Sequence, residues 1–345
     1  MNWYALRWRP GAIALVEVLG GEVRVVAECE APGATGSHRH DLALFPGADR
    51  PIVRLAGAGR APFLRREHGA LVPVEPVPGS GGLSAPRCRA HANGTLTAID
   101  DGQLWVRARS PAVWSPIRVP EPLRLHDVSI TRQGEVVVVG DMPAPAGAAR
   151  QAAMAVLDSE GGRFLELDLA PKDRKRLEAG GGAESFQRVD VEARPYLVSS
   201  TCAWLFDDPS DFVLVGTEQR WRSHKLKRQA VRGWYRKGPE AVTIYTAEGR
   251  RHETRDGGAS FRERDLIPHI RSAWSVSAEE LIVRAVAAHH GELLLAVTAY
   301  DGTDGEDGGP TASALVRSVD DAQTFVVLAA AGRGEEWVGV VSGTS

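Results

Sequence analysis

Short runs of strand-forming residues recur along the chain, each cut by glycine, proline or aspartate. Ala12 to Leu19 meets Gly20-Gly21 and is followed by Glu22 to Val26, two β-rich runs around a turn that read as a hairpin. Pro51 to Leu55 is a short strand, and Ala70 to Val77 is another whose prolines mark an edge. Val128 to Ile130 and Val136 to Val139 flank Gly134 as a further hairpin, and Cys202 to Phe206 and Phe212 to Gly216 flank Asp207-Asp208-Pro209-Ser210. From Ser277 to Glu280 the spacing of a helix capping box competes with a strand. The strand over Leu281 to Ala287 is preferred, because Gly291 turns it into Leu293 to Ala299. One short surface helix is expected over Pro171 to Ala179, with proline at its first position and Gly180 beyond its end. Trp337 to Val341 is a lone terminal strand, and Trp3 to Trp8 is its expected neighbour.

Two eight-residue stretches share one pattern, hydroxyl-x-Asp-x-Gly-x-hydroxyl-aromatic. The first runs from Thr254 through Asp256, Gly258 and Ser260 to Phe261. The second runs from Ser318 through Asp320 and Thr324 to Phe325, with Ala322 in place of the glycine. The chemistry suits a tight turn between strands: the carboxylate accepts backbone N–H bonds two residues on, hydroxyls close the same turn, and glycine accepts positive φ. The aromatic heads the outgoing strand. Weaker copies are read at 98–105, around Asp100, Gly102 and Trp105, and at 157–164, around Gly161 and Phe164. First positions at 98, 157, 254 and 318, with the widest gap holding two repeats, set a period of roughly 50–60 residues.

Both strong stretches resemble the Asp-box, or BNR, repeat of sialidase-like and related β-propellers. The resemblance implies an all-β protein, a β-propeller of six or seven four-stranded blades with seven preferred, in a single domain over 1–345. It also implies that Asp256 and Asp320 hold turns on the outside of blades rather than take part in chemistry. A terminal strand joining the first blade would close the ring and remove exposed edges.

Sialidase-like enzymes imply an arginine cluster for a carboxylate, a Tyr/Glu nucleophile pair and an Asp acid/base. Arg118-Val119-Pro120 is the nearest match to their first arginine motif, but it follows the first weak copy and has no aromatic before it. None of Tyr4, Tyr196, Tyr235, Tyr245 and Tyr300 is paired legibly with a glutamate. Catalytic residues are therefore not assigned, and a sialidase-like glycoside hydrolase is kept as an alternative. No cofactor is expected, since nucleotide loops and nucleophile elbows are lacking. No metal site is expected either: His38 with His40, and His289 with His290, lack further ligands at zinc spacing, and the acidic run from Asp301 to Asp307 lacks calcium-loop spacing.

Charge changes the picture in one place. The formal net charge is -3 over 345 residues, which gives no global attraction to nucleic acid or acidic membranes. Yet Arg220, Arg222, Lys225, Lys227, Arg228, Arg232, Arg236 and Lys237 follow one another with no acid between them, interleaved by Trp221, Trp234 and Tyr235. Residues 218–240 are read as a basic insertion. Arg220, Trp221, Arg222, Lys225, Lys227, Arg228 and Arg232 are its candidate contacts to an acidic protein partner, with single-stranded nucleic acid as the alternative. The three cysteines, Cys29, Cys88 and Cys202, are read as small buried hydrophobes. With no run of about 18 apolar residues and no leader-like start, the expected address is the cytoplasm. The functional expectation is a non-catalytic interaction or scaffold propeller.

Overall fold

The computed structural model describes residues 2–30, 42–46, 50–55, 63–78, 87–91, 93–131, 133–143, 151–157, 162–165, 171, 188–190, 196–200, 212–217, 220–226, 229–238, 240–301 and 310–343. The chain opens with β1 (Trp3–Arg9), β2 (Ala12–Leu19) and β3 (Glu22–Glu30). Next come β4 (Ala43–Phe45), β5 (Ile52–Arg54), β6 (Phe63–Glu67) and β7 (Ala70–Pro73). A third group holds β8 (Arg87–Ala90), β9 (Leu96–Asp100), β10 (Gln103–Arg107) and β11 (Trp114–Ile117). It is followed by β12 (Arg124–Ile130), β13 (Val136–Met142), β14 (Gln151–Leu157) and β15 (Arg163–Phe164). Then come β16 (Arg188–Asp190), β17 (Tyr196–Ser200), β18 (Phe212–Thr217) and β19 (Arg220–Lys225). The next sheet is β20 (Val231–Arg236), β21 (Val242–Thr246), β22 (Arg250–Thr254) and β23 (Arg262–Asp265), and helix α1 (Ile267–Ala273) follows it. Finally β24 (Glu280–His289), β25 (Glu292–Tyr300), β26 (Ala312–Ser318) and β27 (Val326–Ala331) precede β28 (Glu336–Ser342).

The last five of these groups are four-stranded sheets in chain order. The remaining sheet has eight strands in the order β28-β1-β2-β3-β7-β6-β5-β4, so its first strand comes from the far end of the chain. Trp3 pairs with Ser342 and Trp8 with Glu336, as the terminal-strand expectation required. The starting strands pack side by side, β28 against β4 and β24, β24 against β20, and β12 against β16. The arrangement is all-β and propeller-like.

The sheet β24–β27 is buried on both faces, which explains why its strand β25 is a continuous apolar run rather than an alternating one. In β25, Leu293, Leu295, Val297 and Ala299 face one way, with Ile270 of α1, Leu281 and Tyr245. Leu294 and Ala296 face the other, with Trp3, Ala5 and Trp337. The competition over 277–290 thus ends with a strand: Ala287 pairs with Leu294 across the Gly291 turn. By contrast α1 has no counterpart in the sequence reading. It has seven residues, its Ncap Leu266 makes no side-chain bond, and its start is marked by Pro268 and by Asp265, whose carboxylate accepts the Ile267 amide at 2.9 Å. Residues 172–179, 207–210 and Cys202 lie outside the described residues. Cys88 is buried, which pushes its thiol up to about 12, and Cys29 is half-buried; neither is in a disulfide.

One weak repeat is corrected. At 98–105 the chain makes a two-residue hairpin, with Asp100 opposite Gln103 and Asp101 and Gly102 at φ 47° and 79°. That turn joins the second and third strands of its sheet, whereas 254–261 and 318–325 join third to fourth. Trp105 matched the pattern because an aromatic suits any strand. Residues 157 and 164 do bracket a third-to-fourth connection, β14 to β15.

The two strong copies close in the same way. Thr254 donates its hydroxyl to Asp256 Oδ1 at 2.8 Å and accepts the Gly258 N–H at 2.9 Å, while Asp256 receives the Ser260 amide at 2.9 Å and hydroxyl at 2.6 Å. Ser318, Asp320, Ala322 and Thr324 repeat these bonds at 2.8, 3.0, 2.9 and 2.6 Å. Ala322 stands at φ 67°, a left-handed position costing a residue with a Cβ about 1–2 kcal/mol. Its amide bond to Ser318 and its complete burial hold it there. Each turn also leans on the preceding sheet. A Cβ at Gly258 would stand 3.1 Å from Arg222 Cβ, Phe261 stacks on His224 at 3.9 Å, and Asp321 grips Arg251 with both carboxylate oxygens at 3.0 Å.

Two outcomes follow. Thr254→Val leaves the Gly258 amide buried without its acceptor, and is expected to cost about 1–3 kcal/mol, read as a lower urea midpoint at unchanged slope. The Ser260 hydroxyl and amide hold the Asp256 carboxyl down at about 2, and the same bonds from Thr324 lower Asp320 further. Both carboxylates therefore stabilise the fold above the unfolded value near about 4, and that contribution is lost as pH falls toward about 2. Asp256→Asn should flatten acid unfolding across this window, measured by circular dichroism.

Candidate functional site on the inner wall

The basic stretch is not an insertion. Its first part is β19, the fourth strand of one sheet, and its second part is β20, the starting strand of the next. Lys225 is exposed and Arg222 half-buried at the outer end, whereas Arg232 lies on the inner wall. Arg220 is at the start of β19, and Lys227 and Arg228 lie outside the described residues. Trp221 is buried and cannot present its ring to a partner: a Cβ on Gly216 would come within 2.2 Å of it. Tyr235 is half-buried, and its hydroxyl accepts the His290 amide at 3.0 Å. Lys237 binds Asp321 at 3.2 Å. The described residues among those expected to act together are thus divided between the outer strand of one sheet and the starting strand of the next. Charge density along the chain says nothing of this, because the chain crosses from one sheet to the next near Gln229.

Backbone irregularity decides which side chains reach the inner wall. β12, β20, β24 and β28 each carry a bulge, leaving His126, Arg232, Arg284 and Val338 without a register partner. A bulge adds one residue to one strand and re-aims its side chain. Two of these bulges lie against each other. Gly233 brings β20 so close to β24 that a Cβ there would sit 2.6 Å from the Val286 carbonyl oxygen.

Arg284 donates from Nε to Glu336 Oε1 at 2.6 Å and hydrogen-bonds the Tyr300 hydroxyl, with its guanidinium 5.5 Å from that ring's centre. Glu336 is fully buried and also accepts the Thr298 hydroxyl at 2.8 Å. Arg232 remains in contact with solvent, yet loss of hydration is the largest influence lowering its pKa. The positive charge of Arg284 adds to the lowering, and Glu248 and Tyr300 offset part of it. Among the described residues Arg232 has no hydrogen-bond or ion-pair partner. Arg232 was within reach of sequence reasoning. Arg284 and Glu336 were not, although each is a charge inside an apolar strand.

Other titratable groups are occupied structurally. His126 bonds Asp141 at 2.8 Å, and Arg89 bonds Asp127 at 3.1 Å. His91 accepts the Ile130 amide at Nδ1, so its proton sits on Nε2 toward Thr97, and burial pushes its pKa well down. Arg118 is exposed just beyond β11. Tyr4 does bond Glu17, at 3.1 Å, but burial and that carboxylate raise its pKa, the wrong direction for a nucleophile. Among the described residues no group of three or more His, Cys, Asp or Glu is placed to hold a metal ion, and no helix is long and apolar enough to cross a membrane. His38, His40 and the acidic run from 302 to 307 lie outside the described residues.

No protein-family profile and no curated protein matches the sequence. Among solved structures the chain is similar to a catalytically inactive virginiamycin B lyase from Staphylococcus aureus with quinupristin, at TM-score 0.47 and 8% identity over 81% of this chain and 92% of that one. It is also similar to YCF48 bound to a D1 peptide, at TM-score 0.44 and 11% identity over 85% and 86%. YCF48 from Cyanidioschyzon merolae gives 0.42 and 10% over 87% and 96%. Identities this low assign neither activity nor partner.

Glu336→Ala strips the largely enclosed Arg284 of its counter-charge, and is expected to cost up to about 3–5 kcal/mol, the range for a buried pair. Tyr300→Phe, which removes one hydrogen bond, should cost about 0.5–1.5 kcal/mol. Chemical denaturation of the two variants compares them directly.

Proposed function

We propose that the chain is a non-catalytic interaction module, a propeller of seven four-stranded blades that receives an acidic segment of a protein partner on its inner wall. Seven blades follow if the eight-stranded sheet is two blades joined at their outer strands, since β3 and β7 meet through the single parallel pair Glu28 and Ala70. The stretches at 254–261 and 318–325 are then Asp-boxes, by pattern and by their matching hydrogen bonds. The observation that carries the binding role is Arg232, solvent-accessible, beside Arg284 and without an ion-pair partner among the described residues. Burial of Trp221 weighs against single-stranded nucleic acid, which needs exposed rings for stacking.

Affinity capture from the native cell tests the reading. Arg232→Glu should lose a partner that both the wild type and the rim variant Lys225→Glu retain. Capture of the same proteins by all three would refute it. A glycoside hydrolase is the second reading, favoured by the meeting of Arg284, Tyr300 and Glu336. Turnover of a fluorogenic glycoside that Tyr300→Phe abolishes would put it first.

A further inference from the structure

Among the starting-strand arginines whose side chains are described, most are taken up by the fold. Arg87 donates to the His126 carbonyl at 3.0 Å, Arg89 to Asp127 at 3.1 Å, Arg236 to the Gly238 carbonyl at 3.1 Å and Arg284 to Glu336 at 2.6 Å. Besides Arg232, one other is not. Arg124, the first residue of β12, is exposed and has no hydrogen-bond or ion-pair partner among the described residues. Its neighbour across the ladder is Asp141, the acid placed to pair with it. The bulge in β12 gives that acid to another group: His126, out of register, bonds Asp141 at 2.8 Å, and both are buried. On β24 the bulged Arg284 holds Glu336 in the same way, and Arg232 is left over beside it.

The two free arginines share one end of the inner wall. Neighbouring starting strands run the same way wherever contacts fix their direction: Arg87 and Arg89 meet the carbonyls of His126 and Val128 in that order, and Gly233 and Tyr235 meet Val286 and His290. Arg124 opens β12, and Arg232 is the second residue of β20. One sheet stands between them: its β16 lies against β12, and Val213 of its β18 packs with Val231 of β20. Stacked sheets lie about 10 Å apart, so the two strands are within about 20 Å, the span of about six extended residues. Glu248, exposed and without an ion-pair partner among the described residues, acts on Arg232 through its charge. It repels a second anion set directly beside the first.

We propose that Arg124 is the second anchor of the acidic partner segment, which crosses the inner wall in extended form from β20 to β12 and carries two acidic positions about five or six residues apart. The inference rests on the partner-binding reading of Arg232 and adds a spacing to it. Two modest charge contacts made by one chain reinforce each other, because the second forms at high effective concentration once the first is made. A segment with its acids in one run satisfies only one arginine and crowds Glu248.

Fluorescence anisotropy on the full chain at low salt tests this with two capped, labelled peptides of identical composition. In Glu-Glu-Ser-Ser-Ser-Ser-Glu-Glu the acids are split, and in Ser-Ser-Glu-Glu-Glu-Glu-Ser-Ser they are clustered. The wild type should bind the split peptide more tightly, by up to about fivefold, the contribution of one exposed ion pair. Arg124→Gln should abolish that preference with an unchanged melting temperature, because Arg124 makes no bond to the described fold. Arg118→Gln, at an exposed position beyond β11, should keep it. Glu248→Gln should narrow it by admitting clustered acids at Arg232. A wild type that binds both peptides equally overturns the proposal, as does a preference that survives Arg124→Gln. In either case, weaker binding by Arg232→Gln leaves the partner-binding reading standing. Binding of neither peptide, or binding indifferent to Arg232→Gln, removes that reading and this inference with it.

Discussion

Pairing of the two chain ends is the constraint on which the rest depends. β28 brings residues from the end of the sequence to the head of the first sheet, and with them Trp337, which packs against Trp3. Without that pairing, β1 would present a long apolar edge and the sheet behind it would lose one covered face. The same strand supplies Glu336, the counter-charge of Arg284. One strand thus serves both the closure of the fold, through β1, and the inner-wall cluster, through β24.

The inner wall gains its chemistry from irregularity. A regular ladder would turn alternate side chains into the two sheet faces, where apolar neighbours wait. Bulges at Arg232 and Arg284 withdraw one residue each from that alternation. Gly233 lets the two bulged strands approach, so two guanidinium groups share a region with one buried carboxylate. Arg284 is committed to Glu336, whereas Arg232 has no ion-pair partner among the described residues.

What could be read in the sequence is what is local. Gly291 marks its hairpin because a turn residue there needs positive φ, observed at 85°. The stretch from Thr254 to Phe261 was legible because its hydrogen bonds close within its own eight residues. Non-local relations were hidden. Arg284 and Glu336 lie 52 residues apart, and only the packing of β28 against β24 brings them together. The basic stretch misled for a related reason: it is continuous in sequence but crosses from the outer strand of one sheet to the starting strand of the next. At 98–105 Asp-Gly and a following aromatic satisfy both the repeat pattern and a plain two-residue hairpin, and only the strand pairing distinguishes them.

The lean of the two eight-residue turns on the sheets before them has a thermodynamic meaning. Phe261 on His224 and Asp321 on Arg251 are nearest-neighbour couplings in the sense used for repeat arrays. An open array can fray from its ends, one repeat at a time. A ring has no ends, and a sheet that detaches forfeits two interfaces at once, together with the couplings that its own turn and its neighbour's turn provide. Partial melting is suppressed from β16 to β27, so these sheets rise and fall as a block.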